Sequence, residues 1–477
     1  MKTNNKNSNK TNDAGNYSLR WSALFILCVA QFIVIMDTSI IGVALPAIKA
    51  DLGYSQSGLQ WIFNAYVIAF GGFLLLGGKL SDIFGARKLF ISGFLILTVS
   101  SLFAGLAWSD VSLNITRALQ GLGSALIAPS ALTMVLTMFR DPQELGKALG
   151  FWGAAAAAGG SAGVFLGGVI TEWISWEWIF YINIPIGLLV VMASPRYLQK
   201  GDKRKGKVDV IGSILATLSL VLIVYAIVTA ETNGWASLST LSLLVISILL
   251  FGLFITIQKK KDQPLIPLSI FKTPNLSAGN IVMALLAGAW IPLWFYLNLY
   301  LQQVLNYSAF QSGLALLPMT ITIMILMVGF SGKLVQKFGF KNNLILGLIF
   351  LTLSLVLFSM MPQNGNFIMH VLPASILGAI GMSLAYIPGT IASISGAKPE
   401  DSGLASGLVN TSYQIGSALG LAIIVAIAAA TAHATSTLNG TTQEALISGF
   451  KSAFIAAAFV SGLAIFVSMF YVKTLKT

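Results

Sequence analysis

Long apolar runs broken by short polar segments fill the chain from about residue 21 to its end. A helix needs about 20 mostly apolar residues to cross a bilayer. Fourteen segments meet that length, near 21–46, 58–80, 88–107, 112–137, 147–171, 178–196, 211–230, 238–257, 278–304, 312–331, 343–361, 367–392, 403–430 and 448–472. No run alternates apolar and polar positions as a membrane β-barrel strand does. The pattern predicts an all-α polytopic membrane protein with 14 transmembrane helices. The stretch before Arg20 is polar and rich in Asn and Lys. It lacks the charged start and cleavage site of a signal peptide, so the first span is expected to be retained.

Composition sharpens this picture. Of 477 residues, 56% are hydrophobic and 9% charged, against about 25% charged in a soluble domain. That balance excludes a soluble enzyme, a disordered chain and a disulfide scaffold. The single cysteine, Cys28, has no internal partner. The net charge of +12 matters less than its placement. An even number of spans puts both termini on one side, and all but three of the 28 lysines and arginines then fall on that side. The exceptions are Lys49 and Lys451 on the other side and Arg117 within a span. This positive-inside bias predicts cytoplasmic termini. The basic excess faces anionic lipid, so the bilayer is the expected partner and nucleic acid is not. No phosphate-binding loop, metal-ligand cluster or catalytic triad appears, so no enzyme, cofactor or ATP-driven pump is expected.

Two segments repeat. Gly78-Lys79-Leu80-Ser81-Asp82-Ile83-Phe84-Gly85-Ala86-Arg87 follows the second span, and Gly332-Lys333-Leu334-Val335-Gln336-Lys337-Phe338-Gly339-Phe340-Lys341 follows the tenth. Both read G-K-L-x-x-x-F-G-x-[RK], each two spans into a half. This predicts two six-span bundles related by a parallel repeat, enclosing a site near the mid-membrane plane. The expected division is a cytoplasmic tail at 1–20 and an N-terminal bundle at 21–198. A basic linker with two inserted spans and a loop follows at 199–275, then a C-terminal bundle with a short tail at 276–477.

The segment Gly78–Lys88 resembles the signature loop of the major facilitator superfamily, and with fourteen spans the chain resembles its drug:proton antiporter family, of the bacterial multidrug efflux type. Asp37–Pro46 (DTSIIGVALP) is similar to that family's first-span motif. Arg117–Gly123 (RALQGLG) is similar to its fourth-span motif, and Trp178–Gly187 (WIFYINIPIG) to its entry into the sixth span. The resemblance implies the major facilitator fold, two six-helix bundles plus two extra central helices. It implies a multi-pass protein of the bacterial plasma (inner) membrane, functional as a monomer. It further implies alternating access that exports small lipophilic or cationic compounds in exchange for protons, driven by the proton gradient without a cofactor. An exporter or flippase of one endogenous lipid or metabolite on the same fold is the alternative. A proton-coupled importer fits the glycines of span 5 less well, and no appended soluble domain supports a sensor or scaffold.

Two charges lie well inside spans, Asp37 in the first and Arg117 in the fourth. A central charge costs about 2.5–3.5 kcal/mol on insertion scales, so such groups face a cavity or a partner. Burial disfavours the charged form of an acid, so Asp37 is read as a proton carrier and as a contact for cationic cargo. Arg117 keeps its charge and would act electrostatically. The resemblance associates it with proton coupling. Gln120, three residues on, shares its face. A purely structural Asp37–Arg117 pair is the competing reading. Glu231 and His370 sit at the outer ends of spans 7 and 12 and read as wetted interfacial groups.

Glycines mark contact surfaces. Span 5 carries Gly150, Gly159, Gly163, Gly167 and Gly168, and small residues three or four apart let another helix approach closely. This resembles the family's antiporter motif, in which Gly163-Val164 stands where Gly-Pro is usual. The bend a proline would give is missing. The expected role is to seal the bundle interface against proton leak. In the signature segment Gly78 and Gly85 are read as turn residues. Asp82, among Lys79, Arg87 and Lys88, is expected to pair locally or cap a helix. The resemblance gives Asp82 a part in locking the outward-open state. Ile83 stands where the family has a basic residue, and Gln336 replaces the acid in the second copy.

Aromatic and amide side chains are the candidate cargo contacts: Trp61, Asn64 and Tyr66 in span 2, Trp290, Trp294, Tyr296, Asn298 and Gln302 in span 9, and Asn410, Tyr413 and Gln414 in span 13. Aromatic faces attract cations and flat rings. Amides adapt their hydrogen bonds to different partners. Helix packing and interfacial aromatic belts compete as explanations for each.

Overall fold

The computed structural model describes residues 7–139, 141–200, 209–262, 264–397, 402–437 and 441–474. The basic run predicted as a linker, Lys203 to Lys207, lies outside them, as do Arg140 and Lys398. Among the described residues fourteen helices are long and apolar enough to cross a membrane, and no strand occurs. The first six are α1 (Arg20–Ser39), α2 (Gly58–Phe84), α3 (Ala86–Gly105), α4 (Asp110–Met138), α5 (Lys147–Trp173) and α6 (Trp178–Tyr197). A hairpin follows, α7 (Val210–Ala230) and α8 (Leu238–Lys260). The last six are α9 (Leu276–Val304), α10 (Ala309–Met327), α11 (Phe340–Ser359), α12 (Phe367–Ile394), α13 (Leu404–Thr437) and α14 (Thr442–Phe470).

Helix ends follow local chemistry. Reciprocal capping boxes start α4 (Ser109 with Ser112), α10 (Ser308 with Gln311) and α14 (Thr441 with Glu444), each satisfying two otherwise orphan N–H groups. The repeated G-K-L segments are mostly helical, which corrects the turn assigned to Gly78. Gly78 to Phe84 form the last turns of α2, and Gly85 alone leaves the helix at φ 94° before α3. In the second copy Ser331–Phe338 is a separate short helix and Gly339 turns at φ 77°. One left-handed residue suffices for each reversal, and glycine takes it without a Cβ clash.

The repeat extends to packing. In the first six helices α1 packs on α4, α5 and α6, α2 on α4, and α3 on α4 and α6. In the last six α9 packs on α12, α13 and α14, α10 on α12, and α11 on α12 and α14. The matched basic residues also do matched work. Arg87 donates to the carbonyls of Leu198 (3.0 Å) and Pro195 (3.3 Å) at the end of α6. Lys341 donates to the Met469 carbonyl (2.8 Å) at the end of α14. Each cation closes the last helix of its six, where carbonyls lack partners and the dipole is negative.

The two sets of six meet along two seams, α2 with α13 and α5 with α10. Only the first is covered: α7 packs on both α2 and α13, and α8 packs on α7. The hairpin is fastened at its base by Asp209, which caps α7 through the Gly212 N–H and accepts from Gln258 and Lys261 at the end of α8.

The helix ends carrying most lysines and arginines define one face of the bundle, the basic face. The molecule is closed on the opposite face. There Gly167, Gly168 and Gly313 are packed against neighbouring backbone. Toward the basic face a Cβ at Gly150 or Gly153 of α5, at Gly329 at the end of α10, or at Gly332 in the short helix after it would meet open space.

Candidate functional site

The two intramembrane charges meet. Asp37 lies near the end of α1, Arg117 and Gln120 on α4, and both charged side chains are 0% exposed. Arg117 Nη1 donates to Asp37 Oδ2 (2.6 Å) and to Gln120 Oε1 (2.8 Å), and Nε donates to the Ile62 carbonyl (3.0 Å). Gln120 Nε2 donates to Ser101 (2.7 Å) and, at 3.4 Å, to Asp37 Oδ1. Asn183 of α6 gives Asp37 Oδ1 a further hydrogen bond (2.9 Å). The guanidinium lies 4.5 Å from the centre of the Tyr66 ring, whose hydroxyl donates to Ser124 (2.8 Å). One carboxylate thereby ties α1 to α4 and α6. Arg117 Nη2 and Asn183 Oδ1 are buried without a protein partner.

Asn183 and Ser101 are the network members that sequence reasoning did not single out. Asn183 lay within the Trp178–Gly187 segment likened to the family's sixth-span entry, but its amide in an apolar run was given no role.

Just beyond Asp37 the chain continues as a short helix, Ile41–Leu52, and carries the closure. Gln302 of α9 donates to the Val43 carbonyl (2.9 Å), and Gln56 donates to Gln303 (3.1 Å). Asn298 is 1% exposed and sits against Gly42. Phe63 meets Phe295 edge-on at 6.1 Å. Gly42 is five residues from Asp37, about 7.5 Å along a helix, so the charge pair lies directly beneath the closed face.

The span-5 glycines divide by depth. A Cβ at Gly159, Gly163 or Gly167 would strike α1 or its continuation, at Phe32, Ser39 and Ile40, and one at Gly168 would strike Ala309 and Phe310 of α10. Gly150 packs against nothing, so it is no part of the groove predicted for it. Asp82 is exposed and makes no ion pair among the described residues, because Arg87 is committed to the end of α6. Lys88 is exposed beside it.

The predicted cargo contacts do not converge on one pocket. Tyr66 belongs to the charge network. Trp61 packs 6.2 Å from Tyr225 of the hairpin. Asn64 is buried and donates to Gln60 (3.3 Å). Trp290 and Trp294 stand 6.2 Å apart, and Asn298 hydrogen-bonds the Trp294 carbonyl and serves the closure. Tyr296 packs on Phe450 of α14. Tyr413 meets Tyr386 edge-on at 5.4 Å, Gln414 fills the seam against Gly71, and the exposed Asn410 donates to its own helix. An amphipathic side chain advertises capability, and only packing decides which surface uses it. His370 accepts from the Asn366 N–H (3.0 Å), a capping role. The Glu231 side chain lies outside the described residues.

Relatives share this organisation. The cephamycin export protein of Amycolatopsis lactamdurans is 35% identical over 417 residues, 87% of this chain and 86% of the relative. The puromycin resistance protein of Streptomyces alboniger is 32% identical over 450 residues, 93% of this chain and 89% of the relative. A crystal structure of the nucleoside transporter NupG superimposes with a TM-score of 0.65 at 13% identity, over 95% of this chain and 100% of that one, which speaks for the fold alone. The family model described as Major Facilitator Superfamily matches residues 27–421. With its paired six-helix packing and its length-wide relatives, this multi-pass chain belongs to the major facilitator superfamily of membrane transporters, which are not enzymes.

Proposed function

We propose that the chain exports small lipophilic or cationic compounds in exchange for protons by alternating access, with both termini in the cytoplasm. The observation that carries this reading is the fully buried Asp37–Arg117 pair lying beneath the closed face. Relatives named as cephamycin, puromycin and tetracenomycin C export or resistance proteins support the choice of cargo class.

Protonation of Asp37 and ion pairing with Arg117 exclude each other, because the guanidinium keeps its charge. With the pair formed, Asp37 is ionised and α1 is held to α4 and α6. A proton reaching Asp37 cancels the attraction and leaves the buried Arg117 with neutral acceptors only, the Gln120 amide and the Ile62 carbonyl, which is strongly unfavourable. Relief requires α1 to move, and α1 leads straight into Ile41–Leu52 and the contacts with α9. Proton occupancy thus reports to the outer closure through one helix. The arrangement described here, pair formed and closed on the face opposite the basic one, fits a proton already released inward.

The test is substrate-induced proton movement in proteoliposomes, using a lipophilic cationic dye and an interior pH indicator. Wild type should couple dye movement to counter-moving protons, and Asp37→Asn should abolish the proton signal. Equal dye movement in both, with no proton signal in either, would refute antiport. A panel of unrelated dyes separates broad export from export of one endogenous compound.

A further inference from the structure

Two grooves flank the base of α9 on the basic face. One, of about 340 Å³, is lined by residues including Phe271, Thr273, Asn275, Ser277, Ile281 and Tyr471. The other, about 290 Å³, shares Phe271, Ser277 and Ile281 and adds Asn280 and Ser412. The wall of the first grades from polar to apolar. Thr273, Asn275 and Ser277 stand at the start of α9, whereas Ile281 lies further along the span and is 51% exposed. Ile281 points out of the bundle, where a bilayer has its acyl chains.

Two exposed lysines adjoin lining residues of the polar end. Lys272 separates the lining residues Phe271 and Thr273 and is exposed. Lys473 is held beside the groove by Asn275, which accepts from its N–H and donates to its carbonyl, both at 2.8 Å. No counter-charge is near in sequence: between Gln263 and Pro399 the chain has no Asp or Glu. Asn275 spends its side chain on Lys473, so α9 begins without a side-chain cap.

An apolar trough, a polar step and two cations in that order match acyl chain, glycerol and phosphate. A free anion would gain nothing from Ile281, and a lipid without net charge would gain little from two lysines that make no ion pair among the described residues. We propose that this groove holds one anionic phospholipid of the adjoining leaflet, its phosphate between Lys272 and Lys473 and a chain along Ile281. The site is independent of the proposed transport cycle.

Native mass spectrometry of the full chain in neutral detergent, titrated with phosphatidylglycerol or phosphatidylcholine, tests it. Wild type should retain one phosphatidylglycerol in preference to phosphatidylcholine. Retention should weaken about fivefold for each lysine changed, in Lys272→Gln and Lys473→Gln, and about 25-fold for both. Ser277→Trp, which fills the groove and leaves both lysines, should also release the lipid. It carries the test should the double variant fail to fold. Lys337→Gln, at an exposed lysine elsewhere on the same face, should change nothing. Equal retention of the two lipids, undiminished binding in the lysine and groove variants, or displacement of the lipid by millimolar inorganic phosphate would overturn the proposal.

Discussion

At residue scale the energetics turn on one carboxylate. Asp37 accepts from Arg117, Asn183 and Gln120 with no water-facing surface. Removing one partner of such a buried pair strands the other charge and costs about 3–5 kcal/mol. Arg117→Leu and Asp37→Leu should each destabilise the fold by that order, read as a lower unfolding midpoint in detergent. The double variant should recover most of the loss, since two apolar groups can replace a buried pair with little penalty. Additive losses would show that the charges do not compensate each other. Asp37, Arg117 and Gln120 were legible in the sequence because charge inside an apolar run is costly and therefore rare. Asn183 was not, because an amide is tolerated in such a run and only the turn of α6 toward α1 gives it a purpose. The aromatic candidates failed to assemble for the same reason: Trp61 and Tyr66, five residues apart, face a lipid-side hairpin and a buried arginine.

At the scale of elements, hydrophobic run length fixed the fourteen helices, while glycine positions were ambiguous. Composition alone does not separate a glycine that packs from one that merely sits in a helix. The structure separates them, and substitution can check it. A side chain at Gly163 would collide with Ser39 and with the backbone at Met36 and Ile40. Gly163→Leu should therefore force α5 off α1 and abolish transport, with a clear loss of thermal stability. Gly150→Ala meets open space and should be neutral or stabilising by about 0.5–1 kcal/mol, the usual helical preference for Ala. A large loss at Gly150 would mean that α5 packs along its whole length in this state.

The inserted hairpin supplies a second check at this scale. Burial of Asp209 works against its charge, yet donors from Lys261, Gln258 and Gly212 hold its carboxyl below the ordinary range. A folded value below the unfolded one adds stability that is complete above the unfolded value, about 3.9. That stability is lost as pH falls through the lower folded value. The clasp should be whole at pH 7 and weaken only as the pH falls below that unfolded value. Asp209→Asn should raise hydrogen exchange around residues 258–262 at pH 7, with a stability loss of no more than about 1–2 kcal/mol. The bound is low because the Lys261 side chain is 31% exposed and water screens the pair. Unchanged exchange in the variant would assign the fastening of the hairpin to α7 packing alone.

At the scale of the whole molecule, the short G-K-L echo pointed to a repeat that the structure extends to every major helix pair within each six. Sequence could not say which face of the transporter is shut, because closure depends on residues far apart in the chain. Those residues offer a direct test of alternating access. Gln56 and Gln303 touch across the closed face at 3.1 Å. Their contact runs through the ends of two long side chains, so the shorter cysteine side chains are best joined by a linker rather than by a direct disulfide. A short, reducible bis-thiol linker between Gln56→Cys and Gln303→Cys should span them. The chain has a single native cysteine, so Cys28→Ser gives a clean background. Linking should slow dye transport at least tenfold, and reductant should restore it. In the linked protein a thiol introduced at Gly150 should still react with a bulky maleimide from the basic face, because that position is exposed and a side chain there meets open space. Full transport while linked would mean that the closed face need not open in the cycle. Transport lost together with Gly150→Cys reactivity would mean that both faces shut at once, an occluded state in which the Asp37–Arg117 pair is isolated from both sides.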